Sequence, residues 1–298
     1  MEINTAELLR KVRQIELKTG KLVSDTFSGQ YLSIFKGKGI EFADVREYVP
    51  GDDVRDIDWH ITARLKKAFV KKYDEERELT LLVACDVSAS HLFGTTSSFK
   101  NETAAELSAL FLFSALKNSD KTGLYLFSDR TELYVPARKG KEHILRIIRE
   151  MIAFKPKSPR TDIASALKNI NKLLKRKAII VLISDFLDSG FEKALAITAR
   201  KHDLIPVILY DPFERKISKF PALLNYEDAE TGAKGAIDLS DPAILAEYSS
   251  KNEKRIKYLE DLFRSQNVDY LQAQAGEDIY QPVTNFFKKR KLKIRART

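Results

Sequence analysis

From about residue 79 onward, apolar and polar positions form blocks that predict strands and helices in regular succession. Three short apolar runs, LTLLVAC, AIIVLIS and LIPVILY, are rich in β-branched residues and predict buried strands. Longer stretches such as DIASALKNINKLLKR carry apolar residues three or four positions apart and predict amphipathic helices. Strands joined by helices form a mostly parallel sheet with helices on both faces, so the sequence predicts a doubly wound α/β fold.

The first 78 residues show a different pattern. Apolar residues at helical spacing between residues 8 and 17 predict an N-terminal helix, whereas residues 35–78 are dense in both charge signs, have no clean period and predict short strands and loops. We therefore divide the chain into an N-terminal accessory segment, 1–78, and an α/β domain, 79–298. The charged stretch has too few apolar residues for its own core, so we expect it to pack on the domain.

Composition narrows the class of protein. The 298 residues are 44% hydrophobic, enough for a sizeable core, and the single cysteine, Cys85, excludes an intrachain disulfide. The N-terminus lacks the apolar region of a secretory signal, and the longest apolar runs fall far short of the ~20 residues that a membrane span needs. These features predict a soluble, cytoplasmic protein without a transmembrane segment.

The formal net charge is +9, and part of the excess is clustered at the C-terminus. Seven cations occur there without an acid among them: Lys288, Lys289, Arg290, Lys291, Lys293, Arg295 and Arg297. Such a run predicts a solvated, partly frayed tail, and the alternative is a segment that binds an acidic partner or surface. No nucleic-acid-binding motif accompanies the charge, so we do not expect a nucleic acid partner.

Short oxygen-bearing side chains follow the predicted strands. Asp86, Ser88 and Ser90 come directly after LTLLVAC, Asp185 comes after AIIVLIS, and Thr161 precedes the helix that begins near residue 162. In a doubly wound sheet the ligand site lies at the carboxyl ends of the strands, so these residues are candidates for one site. Carboxylates and hydroxyls suit a hard cation such as Mg²⁺ rather than zinc. The alternative is structural: Ser88 or Ser90 caps the next helix and Asp86 ends a strand.

Together these residues resemble the metal-ion-dependent adhesion site of the von Willebrand factor A domain. That site uses a D-x-S-x-S motif, a downstream threonine and a later aspartate, and Asp86, Ser88, Ser90, Thr161 and Asp185 match all five positions in order. The resemblance implies a von Willebrand factor A-like fold and a bound Mg²⁺, or another divalent cation such as Mn²⁺ or Ca²⁺. It also implies a protein partner that offers an acidic residue to the metal.

The stretch GIEFADVREYVPGDDVRDIDWHITAR, residues 39–64, resembles the signature of an uncharacterised prokaryotic family, number fifty-eight among the domains of unknown function. With the adhesion-type domain, the resemblance covers most of the chain. Members of that family are often encoded beside MoxR-type AAA+ ATPases. The resemblance therefore implies a partner protein, a MoxR-type ATPase or its client, and an adaptor role in protein or complex maturation.

The signature stretch also has a purely structural interpretation. Its charged residues are interpreted as an ion-pair network that fixes the segment to the sheet: Arg46, Asp52, Asp53, Arg55, Asp56, Asp58 and Arg64. Trp59, the only tryptophan, is interpreted as a packed anchor rather than a ligand platform.

The rival to an interaction module is a Mg²⁺-dependent phosphohydrolase or nuclease that uses Asp86 and Asp185, with a metal-bound water as nucleophile. Phosphoaspartyl enzymes commonly place a second acid two residues after the first, and here that residue is Ser88. His91 is the only nearby candidate for a base. P-loop, dinucleotide-binding and G-x-S-x-G motifs are absent from the sequence. The sequence therefore favours a protein that is not an enzyme.

Overall fold

The computed structural model describes residues 5–23, 31, 40–75, 79–92, 99–227 and 232–295. The described helices are α1 (Thr5–Leu22), α2 (Trp59–Leu65), α3 (Lys100–Lys117), α4 (Lys141–Ala153), α5 (Ile163–Leu173), α6 (Glu192–Lys201), α7 (Pro212–Arg215), α8 (Pro242–Ser265) and α9 (Tyr280–Arg295). The described strands are β1 (Ile40–Glu47), β2 (Phe69–Glu75), β3 (Thr80–Asp86), β4 (Lys121–Phe127), β5 (Thr131–Arg138), β6 (Ile179–Ser184), β7 (Asp203–Tyr210), β8 (Leu223–Glu227), β9 (Lys234–Asp238) and β10 (Leu271–Gln274).

Six strands form the central sheet, in the order β10-β7-β6-β3-β4-β5. All neighbouring pairs are parallel except β4 and β5, which form an antiparallel hairpin. From β3 the chain crosses to β4 on one side and later returns to β6 on the other side, so the strand order reverses between β3 and β6. The predicted doubly wound α/β fold with a mostly parallel sheet is confirmed.

Helices cover both faces of this sheet because successive strand side chains point to opposite faces. On β3, Leu81 and Val83 pack with residues of α1, α3, α4 and α9, whereas Leu82 and Ala84 pack with residues of α5, α6 and α8. The strands are therefore apolar on both faces, which explains why LTLLVAC shows no polar alternation.

The N-terminal helix α1 packs against α3 and α4, on the outer side of one helical layer. Its apolar residues Val12 and Ile15 are buried, and Lys11 pairs with Glu102 of α3 at 2.6 Å. Helix α3, which α1 covers on its outer side, is buried on nearly all sides, and its first residue, Lys100, has no exposed surface.

Residues 40–75, here called the hairpin segment, contain the antiparallel pair β1–β2, a 3₁₀ turn and the short helix α2. Its charged residues make local contacts. Arg46 donates two hydrogen bonds of 2.7 Å to Asp52, Asp53 caps the 3₁₀ turn, and Asp58 caps α2 by accepting from two backbone N–H groups. The interpretation of these residues as a network that ties the segment to the sheet was wrong, because each described contact lies within a few residues along the chain.

The interpretation of Trp59 as a packed anchor was also wrong. It is the first residue of α2, and 66% of its surface is exposed. The preceding Asp58 caps the helix by accepting from the backbone N–H groups of His60 and Ile61, so the start of α2 is stabilised by a local cap rather than by packing of the indole. Gly39 of the signature lies outside the described residues, as do the side chains of Glu41 and Phe42.

The basic C-terminus is an ordered helix up to Arg295 rather than a frayed tail. Its apolar residues Val283, Phe286 and Phe287 are buried in the core, and Arg290 donates to both carboxylate oxygens of Asp203 on β7. The prediction of a frayed end was wrong because these apolar residues bury one face of the helix. Arg297 lies outside the described residues. In the part of the chain that the structure describes, no helix combines the length and apolar character required to cross a membrane.

Candidate functional site

The candidate site lies where the strand order reverses. Asp86 is the last residue of β3, and Asp185 directly follows β6, the parallel neighbour of β3. Both carboxylates therefore lie at the same edge of the sheet, at its switch point, where doubly wound proteins bind ligands. Asp86 has no exposed surface and Asp185 is 1% exposed, so both acids are deeply buried.

The turn after β3 brings the first three candidate residues together. Asp86 Oδ1 accepts a hydrogen bond from the backbone N–H of Ser88 at 3.0 Å, and the hydroxyls of Ser88 and Ser90 lie 3.1 Å apart. Both serines are buried. Neither caps the next α-helix, because α3 begins at Lys100 with Phe99 at the N-cap position and has no side-chain cap. The alternative that a serine caps that helix was therefore wrong.

Thr161 lies on the loop between α4 and α5, and it is partly buried. This loop is tied to the β3 turn, because the backbone N–H of Ala89 donates to the carbonyl oxygen of Pro159 at 3.0 Å. The next residue, Asp162, caps α5 by accepting from the N–H of Ser165. The N-cap position thus belongs to Asp162, and the structure brings the Thr161 loop to the Asp86 turn without using Thr161 as the cap.

A buried lysine, which the sequence patterns did not single out, contacts the site. Lys100, the first residue of α3, has no exposed surface. Its ammonium lies 3.0 Å from Asp185 Oδ2 and 2.6 Å from Glu214 Oε1. Burial alone would lower the pKa of Lys100, but Asp185 and Glu214 outweigh it, so the pKa is raised and the lysine stays charged.

Glu214 is oriented by the short helix α7. Asp211 at the end of β7 accepts from the backbone N–H of Phe213, and Glu214 Oε2 accepts from the N–H of Asp211 at 2.9 Å, which completes a capping box. The other oxygen of Glu214 is thereby held toward Lys100. A carboxylate from a third strand end thus joins the site.

Two further groups hold the aspartates in place. Ser184 donates to Asp86 Oδ2 at 2.8 Å and accepts from the backbone N–H of Phe186 at 3.0 Å. Arg255 of α8 donates to the carbonyl oxygen of Asp185 at 2.7 Å. Phe186 adopts a left-handed conformation, φ 54°, which is uncommon for a residue with a bulky side chain, and its ring packs against Phe263. The turn after β6 is therefore fixed by both hydrogen bonds and packing.

The electrostatics of the site favour an additional cation. Burial removes the Asp86 carboxylate from water, and the nearby negative charge of Asp185 adds to the effect. Together they raise the pKa of Asp86 from 3.8 to about 7. Three carboxylates, Asp86, Asp185 and Glu214, face two cations, Lys100 and Arg255, so the ionised cluster carries one excess negative charge. We refer to these five residues as the switch-point cluster.

The donor set fits a hard divalent cation. Each carboxylate oxygen can accept more than one contact, so the hydrogen bonds to Asp86 and the Lys100 contact of Asp185 leave acceptor capacity at both. The Ser88 and Ser90 hydroxyls bond to one another, and they could turn toward a cation. Among the described residues, no group of three or more His, Cys, Asp or Glu side chains could hold a metal, so a zinc-type cluster is not found there.

Several site residues were missed because nothing in the local sequence marks them. In the sequence pattern, Lys100 and Arg255 are indistinguishable from other polar residues of a helix, and Glu214 lies on a helix of only four residues. Their contacts join residues 85, 114 and 70 positions apart. The only local signal is the D-P-F-E capping pattern around Glu214. The side chain of His91, the candidate base, lies outside the described residues.

Comparison with known proteins places the chain among uncharacterised relatives. The family model described as "Protein of unknown function DUF58" matches residues 44–257. The uncharacterized proteins Rv1480 of Mycobacterium tuberculosis and Mb1516 of Mycobacterium bovis are each 29% identical over 252 residues, which is 83% of this chain and 78% of each relative. The uncharacterized protein YeaD of Bacillus subtilis is 28% identical over 37% of this chain and 25% of its own length.

The solved structures that align with this chain have a lower sequence identity to it than these relatives. The conserved hypothetical protein BatB of Bacteroides thetaiotaomicron is 15% identical, with a TM-score of 0.44 over 71% of this chain and 98% of that one. The von Willebrand factor A domain of SpRpn10 is 12% identical, with a TM-score of 0.36 over 70% of this chain and 94% of that one.

Proposed function

The chain belongs to the DUF58 family, whose function is unknown, and we propose that this member is a protein-interaction module that binds its partner through a divalent cation. The observation that supports the proposal most is the convergence of Asp86, Ser88 and Ser90 with Asp185 at the switch point of the sheet. Asp86, Ser88, Ser90, Thr161 and Asp185 are the proposed ligands, and Mg²⁺ is the proposed ion, with Mn²⁺ and Ca²⁺ as alternatives.

The charge of the cluster supports an acidic partner. With Asp86 ionised, the five residues of the switch-point cluster carry one excess negative charge without a divalent cation and one excess positive charge with it. Neutral hydroxyls from Ser88, Ser90 and Thr161 add ligands but no further negative charge. A glutamate or aspartate of another protein would therefore be attracted to the loaded site.

Lys100 has a distinct role in this proposal. Its single positive charge offsets part of the negative charge of Asp185 and Glu214 from inside the protein, which weakens the repulsion between Asp185 and Asp86. The hydrogen bonds from Ser184 and from the Ser88 N–H hold Asp86 in one orientation. These residues position the two carboxylates before a ligand arrives.

For the identity of the partner we extend the proposal to a MoxR-type AAA+ ATPase or one of its clients. The support is the family resemblance of the signature stretch, residues 39–64, together with the family membership itself. In this role the protein would be an adaptor in the maturation of a protein or a complex.

The test is affinity purification with tagged protein in Mg²⁺ and in a chelator, followed by mass spectrometry of the captured proteins. We expect the wild type to retain a MoxR-type ATPase or its client only in Mg²⁺, and Asp86→Asn to lose it in both conditions. Asp261→Ala, which removes an exposed acid of α8, is the matched control and should behave as the wild type. Retention of the same partner in chelator, or by Asp86→Asn, would refute the metal-dependent contact.

The alternative of a phosphohydrolase or nuclease has gained no specific support. Asp86 is fully buried and accepts hydrogen bonds at both oxygens, and Asp185 is paired with Lys100, so neither carboxylate is itself placed as a nucleophile. An enzyme would therefore have to use a metal-bound water as its nucleophile. An assay with a generic phosphoester distinguishes the two hypotheses, because only an enzyme would show turnover that Asp86→Asn abolishes.

A further inference from the structure

A groove of about 550 Å³ lies at one edge of the central sheet, away from the switch-point cluster. Its floor is the N-terminal half of β10, the outermost strand, which is separated from β6 by β7. Its volume falls in the range of about 300–1,000 Å³ that is typical of ligand-binding sites. We refer to it as the β10 groove.

The floor offers backbone groups that a further strand could bind. The N–H of Ala275 donates to the carbonyl oxygen of Tyr210 on β7. Because backbone groups of successive residues in a parallel strand point to alternate sides, those of Gln272 and Gln274 point away from β7. Within the described ranges, β10 pairs only with β7, so the N–H and C=O of Gln272 face the groove without a strand partner.

The walls come from helices on opposite faces of the sheet. Helix α8 packs on one face through Phe263, and α9 packs on the other through Phe287, so the two helices flank the edge strand. Tyr270 and Pro282, which are both partly exposed, line the groove and offer apolar surface. An extended segment laid along β10 would therefore find apolar contacts for alternate side chains.

The rim of the groove is positively charged. Four cations line it, Arg264, Lys289, Arg290 and Lys293, against two acids, Glu260 and Asp269. Both acids are already neutralised. Glu260 lies 3.2 Å from Arg264, and Asp269 pairs with Arg290 and Lys293.

Lys289 is the cation of the rim that remains available. It is exposed, and among the described residues it forms no ion pair. The neighbouring Lys288 is also exposed, but it does not line the groove. The charge that remains after internal pairing therefore complements an acidic ligand.

We propose that the β10 groove binds an extended acidic peptide segment of a partner protein, which adds as a strand beside β10. The backbone of Gln272 would supply main-chain hydrogen bonds, and Lys289 would select for carboxylates. This site is independent of the proposed cation site, so binding should be the same in Mg²⁺ and in chelator. The two sites would give a partner two points of contact on one domain.

The test uses a fluorescent peptide of about ten residues that alternates Glu and Val, with a Lys–Val peptide as its control, and measures the dissociation constant by anisotropy. We expect binding of the Glu–Val peptide only. Lys289→Glu should weaken it roughly tenfold, while the control Lys288→Glu should stay within about twofold. Gln272→Pro should also weaken it roughly tenfold, since an edge position whose N–H faces outward tolerates proline.

Three results would overturn the proposal. One is the absence of binding at peptide concentrations of about 1 mM. The second is an equal loss of peptide affinity in Lys288→Glu and Lys289→Glu, which would show that binding depends on the overall charge of the helix and not on the position of Lys289. The third is tighter binding of a single-stranded oligonucleotide with the same loss in Lys289→Glu, which would assign the groove to nucleic acid. Circular dichroism of each variant verifies that the fold is intact.

Discussion

The switch-point cluster and the hairpin segment are both rich in acidic residues, but the two regions hold them in different ways. In the cluster, Asp86, Asp185 and Glu214 each have a partner 70 to 114 residues away along the chain, in addition to a nearby backbone N–H, and the ammonium of Lys100 is fully buried. In the hairpin segment, Arg46 pairs with Asp52 six residues away, and both remain partly exposed.

The two sets of charges differ in the free energy needed to keep them in place and in their structural role. Buried charges lose their hydration and are stable only where each has a partner with good geometry. The switch-point cluster is therefore energetically costly, because Asp86, Asp185 and Lys100 are fully buried and Glu214 and Arg255 are partly buried. Exposed local pairs contribute little and shape turns and caps. This contrast supports the proposal that the switch-point cluster binds a ligand, whereas the charges of the hairpin segment shape local turns and caps.

The largest effect is expected from Lys100→Met. The substitution keeps the volume but leaves Asp185 and Glu214 buried without their cation, and breaking such a pair costs about 3–5 kcal/mol of unfolding free energy. Urea denaturation measures this loss. The corresponding change in the hairpin segment, Arg46→Met, should barely change the midpoint of urea denaturation, because solvent screens the Arg46–Asp52 ion pair. Equal losses from the two variants would contradict the contrast between the regions.

An intermediate effect is expected from Ser184→Ala. The variant removes the hydroxyl that donates to Asp86 and accepts from the N–H of Phe186, and unsatisfied buried groups cost about 1–3 kcal/mol. Thermal and urea unfolding measure the change. Among the described residues, the exposed Ser240 makes side-chain hydrogen bonds to Asp238 alone, so Ser240→Ala is the matched control and should stay within about 0.5 kcal/mol. A neutral Ser184→Ala would mean that Asp86 is not held as described.

The smallest effect is expected from Trp59→Ala in the hairpin segment. Because 66% of Trp59 is exposed, its truncation should change the unfolding free energy by no more than about 0.5 kcal/mol. A loss near the ~3–5 kcal/mol typical of a buried aromatic residue would show that the indole is packed after all. Chemical denaturation followed by circular dichroism provides the measurement, since the variant lacks the only tryptophan.

The central sheet could be predicted from sequence because its strands are buried on both faces and its helices are strongly periodic. The runs at β3, β6 and β7 and the helix α5 illustrate this. Short elements carried no comparable signal. Helix α2 has seven residues in a stretch without a period, α7 has four, and the β8–β9 hairpin was missed. Their conformations depend on caps and tertiary contacts rather than on hydrophobic spacing.

The candidate site could be predicted only in part. Strand ends and the D-x-S-x-S spacing located Asp86, Ser88, Ser90 and Asp185, because residues after parallel strands meet at one edge of the sheet. Lys100 could not be found in this way, since its role depends on Asp185 and Glu214 approaching it from the ends of two different strands. Long-range ion pairs leave no mark in local sequence.

The central claim, a divalent cation held by Asp86 and Asp185, has a pH dependence with a definite sign. The folded pKa of Asp86 is raised from 3.8 to about 7, so the folded state binds this proton more tightly than the unfolded state. Without a cation, the contribution of Asp86 to stability therefore falls as pH rises from about 4 to about 7. Cation binding requires the ionised carboxylate, so stabilisation by Mg²⁺ should increase over the same interval.

The most direct measurement is the thermal unfolding of the wild type and of Asp86→Asn, with Mg²⁺ titrated to millimolar concentrations at about pH 5.5 and about pH 8. The account predicts that Mg²⁺ stabilises the wild type by about 1.4–2.7 kcal/mol at the higher pH, when its concentration exceeds the dissociation constant ten- to hundredfold. It predicts a smaller effect at the lower pH and none in Asp86→Asn. No Mg²⁺-dependent shift in the wild type at either pH, or the same shift in Asp86→Asn, would contradict the proposed cation site.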